Sequence, residues 1–194
     1  WSWSRGLGDV YKRQILDDGS LKCWGLDSWG MLGDGGSSAN TNAPSATPVN
    51  LGSGRTAVAV SSTYGHTCAI LDNGEARCWG RDNYGQLGDG GSNTDQGSPI
   101  AVSGSNTWDS STGLSSGSGS GSGGGSSSSS SFAYANDKLS ASSQHTCAIL
   151  DNGELKCWGS DNQGQLGDGG SNTNTNAPSS TAIDLGTGRT AIAV

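Results

Sequence analysis

The chain has 194 residues, of which 31% are hydrophobic and 34 are glycine, and its formal net charge at pH 7 is −7. So few apolar residues would leave a chain disordered unless they recur in a fixed pattern. The ten basic residues are scattered among seventeen acidic ones, which argues against a nucleic-acid partner, because phosphates require clustered positive charge. No apolar run approaches the roughly 20 residues of a membrane-spanning helix, so we expect no membrane insertion.

The first fourteen residues, WSWSRGLGDVYKRQ, do not follow the pattern of the rest of the chain. Tyr11 and Arg13 stand where later repeats have histidine and cysteine. The segment resembles translated adapter sequence of the kind found at the ends of assembled fragments. We therefore interpret residues 1–14 as a foreign prefix and exclude them from the expected fold.

The remainder of the chain is dominated by an internal repeat. Residues 15–60 align without a gap on residues 149–194, with 32 of 46 positions identical. Residues 66–94 match residues 145–173 at 25 of 29 positions. We accordingly divide the chain into repeat 1 (15–67), repeat 2 (68–103), an insertion (104–136), and the end of repeat 2 with a truncated repeat 3 (137–194).

The insertion at residues 104–136 is centred on seventeen consecutive Gly or Ser residues, 115–131. Such a composition is typical of a flexible coil. We expect the insertion to occupy one surface connection, and we interpret it as a tolerated loop rather than a binding loop, because long surface loops cost little stability. Phe132 and Tyr134 are the bulky residues near it that are worth testing.

Each repeat contains short apolar runs that are bounded by turn residues and show no helical period, which predicts strands of about five residues. In repeat 2, the runs HTCAIL and EARCWG flank Asp72-Asn73-Gly74, which predicts a hairpin with a three-residue loop. Gly74, and Gly153 in repeat 3, would supply the positive φ that this loop needs. Counting outward from the loop places Cys68 opposite Cys78.

That register predicts a cross-strand disulfide, because the facing cysteines fall at a non-hydrogen-bonded pair, where side chains come closest. The same reasoning pairs Cys147 with Cys157. Cys23 has Arg13 at its partner position, so we expect it to be unpaired, its partner having been lost by truncation. Zinc is the rival use of paired cysteines, but a ten-residue spacing across a hairpin does not supply four converging ligands. Disulfides would place the protein outside the cell or on its surface, although no signal segment is present here.

The motif W-G-x-D-x-x-G-x-L-G-D-G-G occurs at residues 24–36, 79–91 and 158–170, and in repeats 2 and 3 it follows H-T-C-A-I-L-D-N-G. Together these motifs resemble the regulator of chromosome condensation repeat, and they are also similar to the β-lactamase inhibitor protein II group. The resemblance implies an all-β fold: β-propeller blades of four-stranded antiparallel sheets, in an incomplete ring of about three repeats. The sequence departs from the family pattern, which usually has Asn at the positions of Asp27, Asp82 and Asp161 and Gln at Met31.

His66 and His145 hold the same place in successive repeats, and so do Trp24, Trp79 and Trp158. A catalytic residue is needed once, so we interpret these repeated residues as framework: the histidines hydrogen-bond within their blades and the tryptophans pack between sheets. The sequence contains no recognisable enzyme signature, and we assign no catalytic residue, no cofactor and no metal ligand.

Acidic turn residues leave calcium open as an alternative ligand, since calcium binds such oxygens. The acidic positions in the glycine-rich loops are Asp82, Asp89, Asp95, Asp161 and Asp168. The EF-hand pattern is absent, however, and turn chemistry accounts for the Asp, Asn and Gly at these places.

The hypothesis that we favour is a non-enzymatic protein-interaction module, in which loops on one face of extracellular or cell-surface blades bind a protein partner whose identity is unknown. One alternative is regulation of a small GTPase by nucleotide exchange, which would require reduced cysteines and a closed ring. Another is a calcium- or glycan-binding surface repeat. We also expect self-association through exposed blade edges.

Overall fold

The computed structural model describes residues 11–36, 39–110, 138–170 and 172–194. These residues form antiparallel strands and one short 3-10 turn, Ser28–Gly30, and none of the described residues belongs to a helix long and apolar enough to cross a bilayer. The strands are β1 (Tyr11–Ile15), β2 (Leu21–Gly25), β3 (Ala57–Ser62), β4 (His66–Leu71), β5 (Ala76–Gly80), β6 (Gln96–Ala101), β7 (Leu139–Ala141), β8 (His145–Ile149) and β9 (Leu155–Gly159).

The strands form three similar antiparallel sheets, which we call the first, second and third blades. The second blade has four strands in the order β3-β4-β5-β6, the first blade contains β1 and β2, and the third contains β7, β8 and β9. In the second blade β6 pairs with β5, and one of the paired positions joins Gly80 to Gln96. Single bridges from Gly25 to Thr41 and from Gly159 to Thr175 take its place in the other two blades. The repeat in the sequence is therefore a repeat of blades.

The predicted hairpin register is confirmed. Ala69 lies opposite Arg77 and Cys68 lies opposite Cys78 in the β4–β5 pair, and Cys147 lies opposite Cys157 in the β8–β9 pair. Gly74 has φ +77°, as the loop requires. The three-residue loop fixes this register locally, which is why the pairing could be predicted without knowledge of the rest of the fold.

The exclusion of residues 11–14 from the fold is wrong. Tyr11–Ile15 forms β1, which pairs antiparallel with β2 and places Arg13 opposite Cys23. Main-chain hydrogen bonds do not depend on side-chain identity, so a segment of unrelated sequence can occupy the strand position. The Arg13 guanidinium then donates a hydrogen bond to the Met31 carbonyl at 3.0 Å. Residues 1–10 lie outside the described residues.

The insertion begins later than the sequence suggested. Trp108 is buried, pairs with Leu150 and packs against Trp158 with ring centroids 5.3 Å apart. Asn106, Thr107 and Asp109 also hydrogen-bond to residues of the third blade, so residues 106–109 belong to it. Asp109 and Lys138, which flank the insertion, form an ion pair at 3.0 Å.

The point of insertion corresponds to a β-bulge. In the second blade the pairing of β3 with β4 shifts between Ala57 and Ala59. In the third blade Trp108 holds the position of Ala57, Asp109 that of Val58 and Lys138 that of Ala59. The extra chain therefore enters where the ladder of hydrogen bonds is already interrupted. The Gly/Ser segment, Phe132 and Tyr134 lie outside the described residues.

The hydrophobic core lies between the blades. One cluster, which includes Leu71 and Trp79, fills the space between the first and second blades. A second cluster, which includes Ile70 and Trp158, fills the space between the second and third. Because every residue of β4 is buried, this strand contributes to both clusters. Burial on both faces of a central sheet is how a chain with so few apolar residues still forms a core.

Candidate interaction face

The repeated tryptophans join each blade to the one before it. Trp79 Nε1 donates a hydrogen bond to the Met31 carbonyl at 2.9 Å, and Trp158 Nε1 donates one to the Gln86 carbonyl at 3.0 Å. Both indole rings are fully buried, whereas Trp24 in the first blade is half-buried. These contacts lie between blades and leave no part of Trp79 or Trp158 available to a ligand.

A threonine and a histidine complete the junction between the second and third blades. The Thr146 hydroxyl donates to the Gln86 carbonyl at 3.1 Å and therefore accepts from His66 Nε2 at 2.7 Å. The expectation that His66 bonds within its own blade is therefore wrong, because its ring reaches a hydroxyl of the adjoining blade. Burial lowers the pKa of His66 to about 3, so its imidazole is neutral over the physiological range. His145 is half-buried, with Nδ1 2.6 Å from the Ser142 hydroxyl, and burial lowers its pKa as well.

The four cysteines assigned to disulfides face each other in two pairs at bonding distance, with 4.1 Å between the Cα atoms of each pair. Cys23 is free and only 3% exposed, and burial raises the pKa of its thiol to about 12. Because a buried thiol with such a pKa is unreactive, Cys23 is unsuited to nucleophilic chemistry. Formation of the two disulfides in the protein stays a prediction.

The buried aspartates of the repeated motif hold turns together. Asp82 Oδ1 accepts a hydrogen bond from the Leu87 amide at 2.9 Å, and Asp27 and Asp161 make the same bond to the leucine five residues later. Asp82 Oδ2 has no hydrogen-bond partner among the described residues, and burial raises the pKa of this carboxyl to about 6.

The other acidic residues considered for calcium also serve turns. Asp89 and Asp168 each accept the amide N–H of the glycine two residues later at 2.8 Å, and Asp95 Oδ1 accepts the amide of Asp82 at 2.9 Å. In the part of the chain that the structure describes, no three His, Cys, Asp or Glu side chains come together as a metal site.

Four side chains that are not part of the repeated motif meet on the loops that follow β2, β3 and β5. The Arg81 guanidinium lies 5.1 Å from the centroid of the Trp29 ring and 5.9 Å from that of Tyr84. The Tyr64 ring packs edge-to-face on Trp29, with centroids 5.7 Å apart and an interplanar angle of 67°. We call Trp29, Tyr64, Arg81 and Tyr84 the aromatic–arginine cluster.

The aromatic–arginine cluster is accessible to solvent and contains a strained residue. Tyr64 is 57% exposed, and the other three side chains are partly exposed. Trp29 has φ +67°, which no other non-glycine residue shares in the described ranges. A bulky side chain in this region of backbone space is strained, and such strain persists where surrounding contacts impose it, often at ligand sites.

The residues that the repeats share do not point to the cluster, because none of its members belongs to the shared motif. The signal lay in the differences: repeats 2 and 3 differ at four of 29 positions in their central hairpins and following loops, and two of the four are Arg81 and Tyr84. The corresponding residues in repeat 3 are Ser160 and Gln163. Repeat 1 has Trp29 at the position of Tyr84.

Comparison with known proteins gives the repeats a family. A model of the regulator of chromosome condensation (RCC1) repeat matches residues 57–86 and 137–165. These two segments are RCC1-type repeats. In the second blade the matched range covers β3, β4 and β5, the strands that carry the hairpin and the buried tryptophan.

Similar proteins include the human and mouse E3 ubiquitin-protein ligase HERC2. Each is 36% identical to this chain over 85 residues, which amount to 44% of this chain and 2% of the ligase. The chain therefore spans only a small part of the curated relatives that it matches.

Solved structures show the same fold. Yeast RCC1 (Prp20), in its complex with Kap60, superposes with a TM-score of 0.66 at 17% identity, covering 91% of this chain and 35% of that one. Human WBSCR16 gives a TM-score of 0.64 at 17% identity, covering 88% of this chain and 35% of that one. The predicted all-β architecture of propeller blades is confirmed, and the chain spans about a third of each of these RCC1-like structures.

Proposed function

We propose that this chain is a non-enzymatic protein-interaction module and that its partner binds at the aromatic–arginine cluster. The observation that carries the proposal is the convergence of four residues outside the shared motif at one exposed place, while the shared residues are buried in turns and between blades. Trp, Tyr and Arg are the residues that most often dominate the energetics of protein interfaces.

The chain itself supplies variants that test this proposal. Repeat 3 tolerates Gln163, Ser143 and Ser160 at the positions that correspond to the cluster. Importing these residues gives a cluster variant that carries Trp29→Gln, Tyr64→Ser, Arg81→Ser and Tyr84→Gln. Arg77→Lys imports Lys156 of repeat 3 in the same way but lies outside the cluster, so it is the matched control.

The experiment is a selection of phage-displayed random octapeptides on the immobilised 194-residue chain. We expect enriched peptides to bind the native chain and the Arg77→Lys control equally and to lose at least tenfold in affinity for the cluster variant, because interface hot spots typically contribute more than that factor. Enrichment of peptides that bind the cluster variant unchanged would place the interaction elsewhere. Failure to enrich any peptide, with binding on a glycan array instead, would replace the protein partner with a sugar.

We further propose that the protein works outside the cell or on its surface. The support is the pairing of Cys68 with Cys78 and of Cys147 with Cys157, since disulfides persist in oxidising compartments. Non-reducing peptide mapping by mass spectrometry of the chain, produced through a secretory route, should find both links and a free Cys23. Alkylatable thiols throughout would contradict this location and would return regulation of a small GTPase to consideration.

A further inference from the structure

The guanidinium of Arg81 lies beside two aromatic rings. Its central carbon is 5.1 Å from the centroid of the Trp29 ring and 5.9 Å from that of Tyr84. The N–H donors of a guanidinium point outward in its plane, so stacking on aromatic rings does not occupy them. No carboxylate of the described residues pairs with Arg81: the ion pairs there join Arg55 to Asp72, Arg77 to Glu75, and Lys138 to Asp109.

We propose that the aromatic–arginine cluster recognises an Asp or Glu side chain in an extended protein segment, next to an apolar side chain. The inference rests on the proposed function and specifies the partner's chemistry. A carboxylate is the acceptor that matches two parallel N–H donors, and such bidentate bonds are among the strongest polar contacts in proteins. Because the rings restrict the guanidinium before binding, less conformational entropy is lost when those bonds form.

The aromatic members of the cluster account for the apolar neighbour. Tyr64 is 57% exposed and stands edge-to-face on Trp29, beside the guanidinium. An aliphatic or aromatic side chain adjacent to the acidic residue would cover these rings and exclude water from the carboxylate–guanidinium contact. Exclusion of water strengthens such a contact, because the local dielectric constant falls.

Charge favours a single carboxylate over a polyanion. The chain carries a net charge of −7, so a ligand with a high density of negative charge would be repelled by the rest of the surface. One carboxylate contributes only one charge, and it meets the cluster at an arginine that has no acidic partner among the described residues. A phosphoserine would bring more negative charge to the same donors, and it serves as a competing ligand in the test.

The test uses synthetic forms of the octapeptides that the selection enriches, acetylated and amidated so that neither terminus carries charge. Each peptide is made with its Asp or Glu, with the matching Asn or Gln, and with phosphoserine at the same place. Fluorescence anisotropy then measures binding to the native chain, to Arg81→Ser, to Arg81→Lys and to the Arg77→Lys control.

We expect the acidic peptides to bind the native chain and the Arg77→Lys control about tenfold more tightly than the neutral peptides. Arg81→Ser should abolish that difference, Arg81→Lys should retain part of it, and added salt should reduce it. Equal binding of acidic and neutral peptides would overturn the inference, as would tighter binding of phosphoserine.

The two proposals fail in distinguishable ways. Peptides that lack any preference for Asp or Glu but still lose affinity for the cluster variant would leave the proposed function standing and sink only the carboxylate inference. Peptides whose binding survives every substitution in the cluster would remove both.

Discussion

The second and third repeats share 25 of 29 residues through their central hairpins and following loops, yet they present different surfaces. In the second repeat, Arg81 and Tyr84 meet Trp29 and Tyr64. In the third, Ser160 is buried and Gln163 is exposed at the corresponding places. The shared residues make the same blade twice, so the differences between repeats, rather than the motif, identify the surface available for a specific partner.

Repeats 2 and 3 also differ in what surrounds an equivalent glycine, because one of the two glycines faces an adjoining blade. Gly88 follows the turn of repeat 2, and a Cβ there would lie 2.5 Å from Trp158 Nε1 of the third blade. At Gly167, its counterpart in repeat 3, a Cβ would make only an ordinary van der Waals contact, 3.8 Å from the side chain of Ile183. Both have positive φ, +70° and +64°.

Between equivalent positions of the two repeats, the largest expected difference is therefore that between Gly88→Ala and Gly167→Ala. Both variants incur the backbone strain of positive φ, about 1–2 kcal/mol, but only Gly88→Ala also displaces a buried indole. We expect Gly88→Ala to lower the free energy of unfolding by about 2–3 kcal/mol more than Gly167→Ala, measured by urea denaturation. Equal losses would mean that the packing of Gly88 on Trp158 contributes nothing.

The first blade can be made to resemble the second by a single change. Arg13 faces Cys23 in the register that brings Cys68 opposite Cys78, so Arg13→Cys places two thiols in the same geometry. We expect a third disulfide that raises the free energy of unfolding by about 2 kcal/mol relative to the reduced variant, because it closes a short loop in the unfolded chain. Peptide mapping of the Arg13→Cys variant with and without reductant detects the disulfide between position 13 and Cys23. Free thiols at both positions under oxidising conditions would contradict the register of β1.

The hairpin could be predicted from the sequence because its cause is local. Three loop residues with glycine last fix the register, and the register fixes which cysteines meet. The start of the insertion could not be predicted, because Trp108 belongs to the third blade through contacts with Leu150 and Trp158, which are distant in sequence. The aromatic–arginine cluster was missed for a similar reason: its members come from three loops, and none follows a periodic pattern.

A smaller effect distinguishes two aspartates at equivalent places. Both Asp82 and Asp161 accept a leucine amide through Oδ1, but only Asp82 has a buried Oδ2 without a partner among the described residues. The pKa of Asp82 is raised to about 6, so the folded state holds a proton that the unfolded chain releases near pH 4. Stability therefore falls as the pH rises from about 4 to 6, and the full penalty of the buried charge applies above that range.

Replacing the carboxyl by an amide should remove that penalty. We expect Asp82→Asn to raise the free energy of unfolding by about 1–2 kcal/mol at pH 7 and to lose its advantage over the native chain as the pH falls towards 4. The amide keeps the oxygen that accepts the Leu87 amide. Thermal denaturation across this pH range compares the stability of Asp82→Asn with that of the native chain. Asp161→Asn is the matched variant. A gain that does not depend on pH would show that the charge of Asp82 is not its cause.

The smallest expected effect on stability comes from substitution within the aromatic–arginine cluster. A binding residue differs in this respect from a framework residue, whose substitution lowers stability. Tyr64 is 57% exposed and contacts Trp29 by its edge, so Tyr64→Ser removes little buried surface and should change the free energy of unfolding by no more than about 0.5 kcal/mol. Trp79→Ala, by contrast, empties a fully buried site and removes the hydrogen bond to the Met31 carbonyl, which should cost about 3–5 kcal/mol. Urea denaturation of the two variants beside the peptide-binding assay gives both quantities. If Tyr64→Ser weakens peptide binding and leaves the free energy of unfolding unchanged, Tyr64 serves to bind a partner. A loss of stability comparable to that of Trp79→Ala would make Tyr64 part of the framework.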